Sequence, residues 1–459
     1  MTADPRQMLL RKYDVPGPRY TSYPTVPYWT GQPSPAEWLD SLARPPASQR
    51  GAPAGAAIYV HIPFCESLCT YCGCNTRITR NHELGHRYVD VVLQEWELYR
   101  RRLSPENSWP LAELHFGGGT PTFLEPPQLR RLAAGILAGV KVAPGAELSL
   151  EADPRVTTRE HLAALAELGF NRLSLGIQDF DPKVQEIVHR MQTEDQVHAV
   201  VRHARELGYQ SVNFDLIYGL PFQTEDSVRA TAAAVTRLGP DRIAFYAYAH
   251  VPWIKPQQRR FTEADLPAGE AKRHLYEVGR ALLEGGGFRE IGMDHFAQET
   301  DSLWRAAQEG RLHRNFMGYT ARPVWPQIGL GVSAIGDSWT HFAQNEKVLE
   351  PYMTRVLAAE LPLVRGHTLT AEDLVLRQHI LNLMTRGATR WDRPELQTPF
   401  LETAGTRLAE LADDGLLELC GSGCEVTPLG RAFLRNICMA LDARLARLTP
   451  PEKLFSRAV

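Results

Sequence analysis

Residues 57–74 read AIYVHIPFCESLCTYCGC, an apolar, β-branched run followed at once by four cysteines. Ala57 to Ile62 has the composition of a buried strand. The loop after it carries Cys65, Cys69 and Cys72 in the spacing C-x3-C-x2-C, with Cys74 two residues on. Moving outward, the strand pattern recurs at LAELHF (111–116), ELSLEA (147–152), NRLSLGI (171–177), SVNFDLI (211–217) and DRIAFYAYA (241–249). Amphipathic segments such as HRYVDVVLQEWELYRRRL (86–103), EHLAALAELG (160–169) and EDSVRATAAAVTRLG (225–239) lie between them. Six β-then-α units in series predict an α/β fold, a parallel sheet with helices outside it, curled into a partial (β/α)6 TIM-like barrel. Chemistry is then expected at the C-terminal ends of the strands, where the cysteine loop begins. An open doubly wound sheet is the structural alternative.

The flanks read differently. Residues 1–50 form an N-terminal arm and linker, rich in proline and aromatic side chains without a period, and the burial tendency of Tyr and Trp favours an arm packed on a core. Residues 51–345 are the expected barrel core. Residues 346–459 are expected to be a mainly helical C-terminal domain, because strand patterns nearly vanish after about 345. TAEDLVLRQHILNLMTR, ETAGTRLAELADDG and PLGRAFLRNICMALDARLARL have helical period, interrupted by a small winged-helix-like hairpin at LLELCGSGCEVT (416–427).

The chain of 459 residues is 44% hydrophobic and 22% charged, with a formal net charge of −3. Fifty basic against 53 acidic residues predict no nucleic-acid partner and no anionic membrane surface. No apolar run approaches the ~20 residues of a membrane helix, and the first residues lack a secretion-signal pattern. The expected location is cytoplasmic, and nothing demands an oligomer, so a monomer is expected. Seven cysteines, four of them within ten residues, argue against a spread disulfide framework and for a metal site.

Three thiolates on one loop can hold three corners of a [4Fe–4S] cluster and leave one iron open. Zinc is the competing reading, with Cys74 or His61 as a fourth ligand, but C-x3-C-x2-C-x-C is awkward for one tetrahedral ion and no second cysteine pair lies nearby. Cys420 and Cys424 read as the flanks of a glycine turn, and Cys438 as core.

With Tyr71 before the third cysteine, the cysteine loop resembles the radical S-adenosylmethionine (SAM) signature. Gly117-Gly-Gly-Thr-Pro-Thr122 resembles the glycine-rich turn that such enzymes set against the methionine amino group. RYTSYPT (19–25), YVHIPFC (59–65), CGCN (72–75), EADPR (151–155), RLSLGIQDF (172–180), DLIYGLP (215–221), YAHVP (248–252), IGMDHF (291–296), LHRNFMGYT (312–320), GVSAIGD (331–337) and RNICM (435–439) are together similar to the oxygen-independent coproporphyrinogen III oxidase (dehydrogenase) family, nearly end to end.

The resemblance implies a radical SAM oxidoreductase of heme biosynthesis. Its [4Fe–4S] cluster, on Cys65, Cys69 and Cys72, would cleave SAM to a 5′-deoxyadenosyl radical, and two SAM would be used per turnover. The radical would start the oxidative decarboxylation of two propionates of coproporphyrinogen III to the vinyls of protoporphyrinogen IX. A one-electron donor such as a flavodoxin-type protein is implied as partner. By motif position the SAM contacts fall on Tyr59, Tyr71, Gly118, Gly119, Thr120, Glu151, Gln178, Arg190, Asp215, Ala249 and Ile335. Cys74 resembles the family's non-ligating fourth cysteine. Arg19, Arg172 and Arg314 are candidates for the substrate carboxylates, with structural ion pairs as the alternative. A heme-handling relative without decarboxylase activity and a SAM-dependent methyltransferase are rival readings, and the CGC element, the RYTSYPT arm and the HRNF segment weigh against them. One departure stands out: after GYT this chain has Ala321-Arg-Pro-Val-Trp-Pro-Gln327, a stiff loop that bears on substrate choice if it borders the substrate.

Overall fold

A computed structural model describes residues 5–43, 55–103, 109–448 and 455–458. The connector at 45–54 read as part of the linker lies outside them. The six expected strands all form: β1 (Ala56–Ile62), β2 (Leu111–Gly118), β3 (Val142–Ala152), β4 (Arg172–Gln178), β5 (Ser211–Tyr218) and β6 (Arg242–Ala247). They pair in sequence order, each parallel to the next. Helices Glu83–Arg102, Pro126–Leu137, Arg159–Ala166, Glu194–Glu206 and Glu225–Leu238 cross back between them. Their starts are written locally: Thr193 and Thr224 accept the backbone N–H of Gln196 and Ser227 as N-caps.

Strand β4 shows how the sequence sorts its two faces. Leu173, Leu175 and Ile177 are buried against the helices, while Arg172, Ser174, Gly176 and Gln178 point into the barrel. Side chains alternate along a strand, so one polar–apolar alternation builds both the outer core and the inner site.

The sheet is larger than the rhythm foretold. Beyond β6, the antiparallel strands β7 (Phe288–Gly292) and β8 (His295–Gln298) complete one edge. On the other side of β1, β9 (Gln327–Leu330) pairs in parallel, followed by antiparallel β10 (Ile335–Asp337), β11 (His341–Asn345) and β12 (Leu363–Thr368). The order is β12-β11-β10-β9-β1-β2-β3-β4-β5-β6-β8-β7, and the two edges are not paired to each other. The barrel is therefore partial. The sheet also continues past the boundary expected at 345, because β12 pairs with β11. Strands β8 to β12 are three to six residues long, too short to carry an alternation that stands out from loops.

After β12 the chain is helical at Ala371–Arg386 and Phe400–Asp413. The helix expected across 428–448 is broken: Leu434–Ala440 and Ala443–Arg447 are separated at Asp442, whose carboxylate caps the second by accepting from Leu445 N–H. The hairpin pairs Leu417–Leu419 with Gly423–Val426 and adds a third strand, Ala388–Arg390. Tyr20 and Tyr23 of the arm are buried among Leu376, Leu383 and Ile437 of this region. Trp38 is fully buried and donates to the Tyr99 hydroxyl at 3.0 Å. Among the described residues no helix is long and apolar enough to cross a membrane.

Candidate active site

The cysteine loop leaves the C-terminal end of β1 and is closed on itself by a short ladder. Phe64–Cys65 runs parallel to Arg77–Ile78, with Thr79 N–H donating to Cys65 O at 2.9 Å. Three other segments hold it. Thr70 N–H donates to Val188 O, Gln258 Nε2 to Tyr71 O, Gln257 Nε2 to Cys72 O and Asn75 Nδ2 to Lys347 O, all at 2.8–3.0 Å.

The glycine turn after β2 supports the loop from behind. Gly119 and Thr120 N–H donate to the carbonyls of Ile62 and Phe64, each at 2.8 Å. A Cβ on Gly119 would lie 2.8 Å from the Pro63 and Phe64 carbonyls, and one on Gly118, where φ is +119°, would lie 2.9 Å from the His61 ring. Glycine is needed at both positions because backbone must touch the base of the cysteine loop, which is a nearer reason than the expected approach of a ligand.

Cys65, Cys69 and Cys72 all line one cavity of about 550 Å³ that opens at the strand ends and descends into the barrel. Cys69 is buried, Cys65 and Cys72 half-buried and Cys74 exposed. Cys65 Sγ lies 3.3 Å from Thr120 Oγ1. Cys69 Sγ faces two guanidinium groups, Arg190 Nη1 at 3.6 Å and Arg155 Nη2 at 3.8 Å. Both arginines are held by Asp153, at 3.1 and 2.6 Å. Burial pushes the Asp153 carboxyl up, but the two arginines outweigh it and leave it below its ordinary value. Cys72 accepts the Cys74 N–H at 3.4 Å. The side-chain hydrogen bond between the two thiols, aided by the Cys74 N–H, Lys255 and Arg190, brings Cys72 down to about 6, and the same thiol pairing together with burial pushes Cys74 well above the thiol range. Burial raises Cys65 to about 11.

Among the described residues no group of three or more His, Cys, Asp or Glu side chains is placed to hold a single metal ion. Three separate thiols facing one cavity suit a cluster in which each thiolate takes its own iron, with cationic guanidiniums beside the sulfurs to offset its negative charge.

Around the loop the cavity gathers Tyr71, Gly118, Gly119, Thr120, Glu151, Gln178, Arg190 and Asp215, eight of the eleven expected SAM contacts. Glu151 accepts from Gly118 N–H at 3.1 Å and from His115 Nε2 at 3.2 Å. Burial raises its pKa, and these donors bring it back below the ordinary carboxylate value. Asp215 accepts from Ser174 Oγ and Asn213 Nδ2, each at 2.9 Å, yet burial lifts it to about 6. Arg190 is committed to Asp153, the Gly176 carbonyl and Cys69, so its donors serve the cysteine loop.

Three expected contacts stand just outside. Tyr59 faces inward on β1, stacked on His115 with its hydroxyl 3.0 Å from His61 Nδ1. Ile335 on β10 is pressed against Gly329, the register partner of Tyr59. The Ala249 carbonyl accepts from Gln258 Nε2 at 3.3 Å, the same amide that holds Tyr71.

The arginine candidates separate. Arg172 begins β4 at the floor of the barrel and is ion-paired to Glu147, the structural alternative given above. Arg314 is buried over the Tyr319 ring at 4.5 Å, and its Nε and Nη1 have no hydrogen-bond partner. Its neighbours Tyr319 and His295 line the cavity, and burial together with the Arg314 charge lowers His295 to about 3. Arg19 lines a different cavity, on the outer face of the sheet. The Ala321–Gln327 loop is fastened to the strand starts, Arg322 Nη2 donating to Ala112 O and Gly145 O, at the end of the barrel away from the cysteines. Asp153 and Arg155 were not singled out by their chemistry; their signal was the EADPR segment.

Known proteins share this architecture. A sequence profile of the radical SAM superfamily matches residues 59–235. The oxygen-independent coproporphyrinogen III oxidases of Salmonella typhimurium and Escherichia coli K12 are each 39% identical over 456 residues, covering 98% of this chain and 98% of theirs. The chain belongs to the oxygen-independent coproporphyrinogen III oxidase family. A more distant family member, from Synechocystis, is 36% identical over 462 residues, 98% of this chain and 97% of its own. The solved coproporphyrinogen III oxidase (HemN) from Escherichia coli, described as a radical SAM enzyme, superposes with a TM-score of 0.87 at 38% identity, over 95% of this chain and 98% of that one. The family thus accounts for the arm and the C-terminal region as well as the barrel.

Proposed function

We propose that this chain is an oxygen-independent coproporphyrinogen III oxidase that converts two propionates of coproporphyrinogen III to vinyl groups. The observation that carries the reading is the cavity that joins three loop thiols to Glu151, Gln178 and Asp215 at the ends of consecutive strands, in a chain alike over 98% of its length to enzymes of that name. A [4Fe–4S] cluster on Cys65, Cys69 and Cys72 with SAM, two per turnover, supplies when bound the one-electron chemistry that removes a hydrogen atom from the substrate. Each propionate, once it has lost a β-hydrogen atom, would lose carbon dioxide and pass one electron to an external one-electron acceptor, leaving the vinyl group.

The chain's own residues hold and orient. Arg190 and Arg155, fixed by Asp153, steady the Cys69 thiolate, and the Cys74 N–H steadies Cys72. Glu151, with Gly118 N–H on one oxygen and His115 Nε2 on the other, suits an ammonium group through its remaining lone pairs, and Asp215 and Gln178 suit hydroxyls. Tyr59, Tyr71, Gly118, Gly119, Thr120, Ala249 and Ile335 shape the walls and the turn. Arg314, a buried guanidinium with unpaired donors, suits a propionate. We read the sheet through β12 with its crossing helices as the part that does the chemistry, and the described arm and the helical region after β12 as its cover.

A flavodoxin-type donor fits the rim of the cysteine loop. Leu68, Ile78, Met191, Ile254 and Val348 are exposed there, beside Arg80, Lys255 and Lys347, in a chain of net negative charge. Apolar surface framed by cations suits an acidic redox protein. The enzyme is read as a cytoplasmic monomer.

The test is anaerobic turnover. Reconstituted, reduced protein given SAM and coproporphyrinogen III should form protoporphyrinogen IX with two 5′-deoxyadenosine per product, and Cys69→Ala should form neither. SAM cleavage without product would overturn the substrate assignment, and no cluster would overturn the whole reading.

A further inference from the structure

The second large cavity, about 930 Å³, lies outside the barrel. Strand alternation places it there. On β6 Tyr246 faces the inner cavity and Ala247 the outer one; on β5 Asp215 faces in and Tyr218 out; and His295, next to Asp294, does the same. Helix Gly269–Gly285, the arm and the segment around Arg435 form its other walls.

Its charge is not balanced. Arg19 spends one donor on the Ala247 carbonyl at 2.6 Å, and Arg435, 7% exposed, donates only to main-chain carbonyls of the two chain ends. Among the described residues neither guanidinium is ion-paired to a carboxylate. Arg431 adds a third cation at the rim. Other charges are already matched, Arg273 with Glu277 for example. Two acids face the same space: burial pushes Asp294 and Glu290 up, Arg19 and Arg435 pull Asp294 part of the way back, and Glu290 accepts from the Tyr276 hydroxyl, so neither carboxylate is hydrogen-bonded to Arg19 or Arg435. Crowding registers in turn on the adjacent Lys272, which burial, Arg19 and Arg435 bring down to about 8. A buried cation without an anionic partner, as Arg435 is, is costly, and here it lines a cavity of ligand size beside the half-buried Arg19. Tyr276, Met293 and Phe433 give the same space apolar walls.

We propose that this outer cavity binds an amphipathic organic carboxylate, its carboxylate held by Arg19 and Arg435 and its apolar body lying on Tyr276, Met293 and Phe433. Porphyrins with propionate chains and fatty acids share that chemistry. The inference borrows from the proposed function only the choice of one probe and the control at Arg314.

The test is equilibrium binding by the full-length protein, with coproporphyrin III, protoporphyrin IX and decanoate as separate probes and coproporphyrin III tetramethyl ester as the uncharged control. At least one carboxylate should bind in a mode that Arg19→Gln weakens about tenfold or more, that Arg19→Lys largely restores, and that the ester does not show. Porphyrin or decanoate in that mode identifies the source. Arg431→Gln, at an exposed side chain, should weaken the same mode and serves if Arg19→Gln does not fold. Arg314→Gln should leave it intact and remove a separate porphyrin mode inside the barrel; if no porphyrin mode depends on Arg314 while the Arg19-dependent mode is present, the proposed function suffers and the outer site stands. Carboxylate binding indifferent to both Arg19 and Arg431, or equal binding of the ester, would overturn the outer site.

Discussion

Cys69 sits where two arginines converge, and a single carboxylate, Asp153, keeps both in place. Replacing Asp153 with Asn leaves two nearly buried cations short of their anion, and breaking a buried pair in that way costs about 3–5 kcal/mol. Asp153→Asn should therefore lower the unfolding midpoint in thermal or urea denaturation, where Arg159→Ala, at an exposed ion pair, should barely move it. The thiols divide more sharply. If the cluster sits on Cys65, Cys69 and Cys72 as proposed, alanine at any of them should abolish its visible absorbance after reconstitution, whereas Cys74→Ala, which keeps the backbone N–H donated to Cys72, should retain it. The three cysteines of the proposed cluster were legible in the sequence because spacing alone puts them on one loop. Arg19 was not: a motif can mark a residue as belonging to a family, but only the packing decides which face of a sheet it reaches. The same holds for Arg172, whose partner Glu147 is 25 positions away.

At the scale of elements, the six parallel strands announced themselves through alternation, since each buries one face on helices and turns the other to the cavity. Strands β7 to β12 escaped because runs of three to six residues are too short to show such a pattern; what places β9 is parallel pairing with β1, a contact of some 270 residues in separation that no local rhythm encodes. The proline-rich Ala321–Gln327 departure looked relevant to substrate, and its distance from the cysteines became visible only through Arg322 and its carbonyl partners on the strand starts. The glycine turn was legible as a turn, but not for its reason. Gly119→Ala should drive a methyl against the Pro63 and Phe64 carbonyls, costing about 1–3 kcal/mol and displacing the loop base. Iron content per chain after reconstitution should fall in Gly119→Ala and stay near wild type in Gly405→Ala, where nothing lies within 4 Å of the added Cβ.

Across the whole molecule, one buried carboxylate ties distant parts together. Glu95, fully buried on helix Glu83–Arg102, accepts from Tyr352 hydroxyl at 2.6 Å, Gly331 N–H at 2.8 Å and Asn345 Nδ2 at 2.7 Å. Those partners lie on the segments that follow β9, β10 and β11. Burial lifts Glu95 to about 7 despite these donors. Its folded pKa exceeds its unfolded one, so the native state holds the proton more tightly. The stabilisation is complete below the unfolded value and is lost as pH rises to about 7, to a total of up to about 3 kcal/mol. Thermal unfolding between pH 5 and 8 should fall less steeply in Glu95→Gln than in wild type; parallel profiles would contradict that account.

The central claim is that the loop cysteines and the SAM site together remove a hydrogen atom from a propionate of coproporphyrinogen III. It is tested most directly by supplying substrate deuterated at the propionate β-carbons to the reconstituted, reduced enzyme and weighing the 5′-deoxyadenosine released. Recovery of one deuterium in that nucleoside, alongside protoporphyrinogen IX, is the result this account predicts. Protoporphyrinogen formed with no label in the nucleoside, or labelled nucleoside never formed while the cluster is intact and reduced, would contradict it.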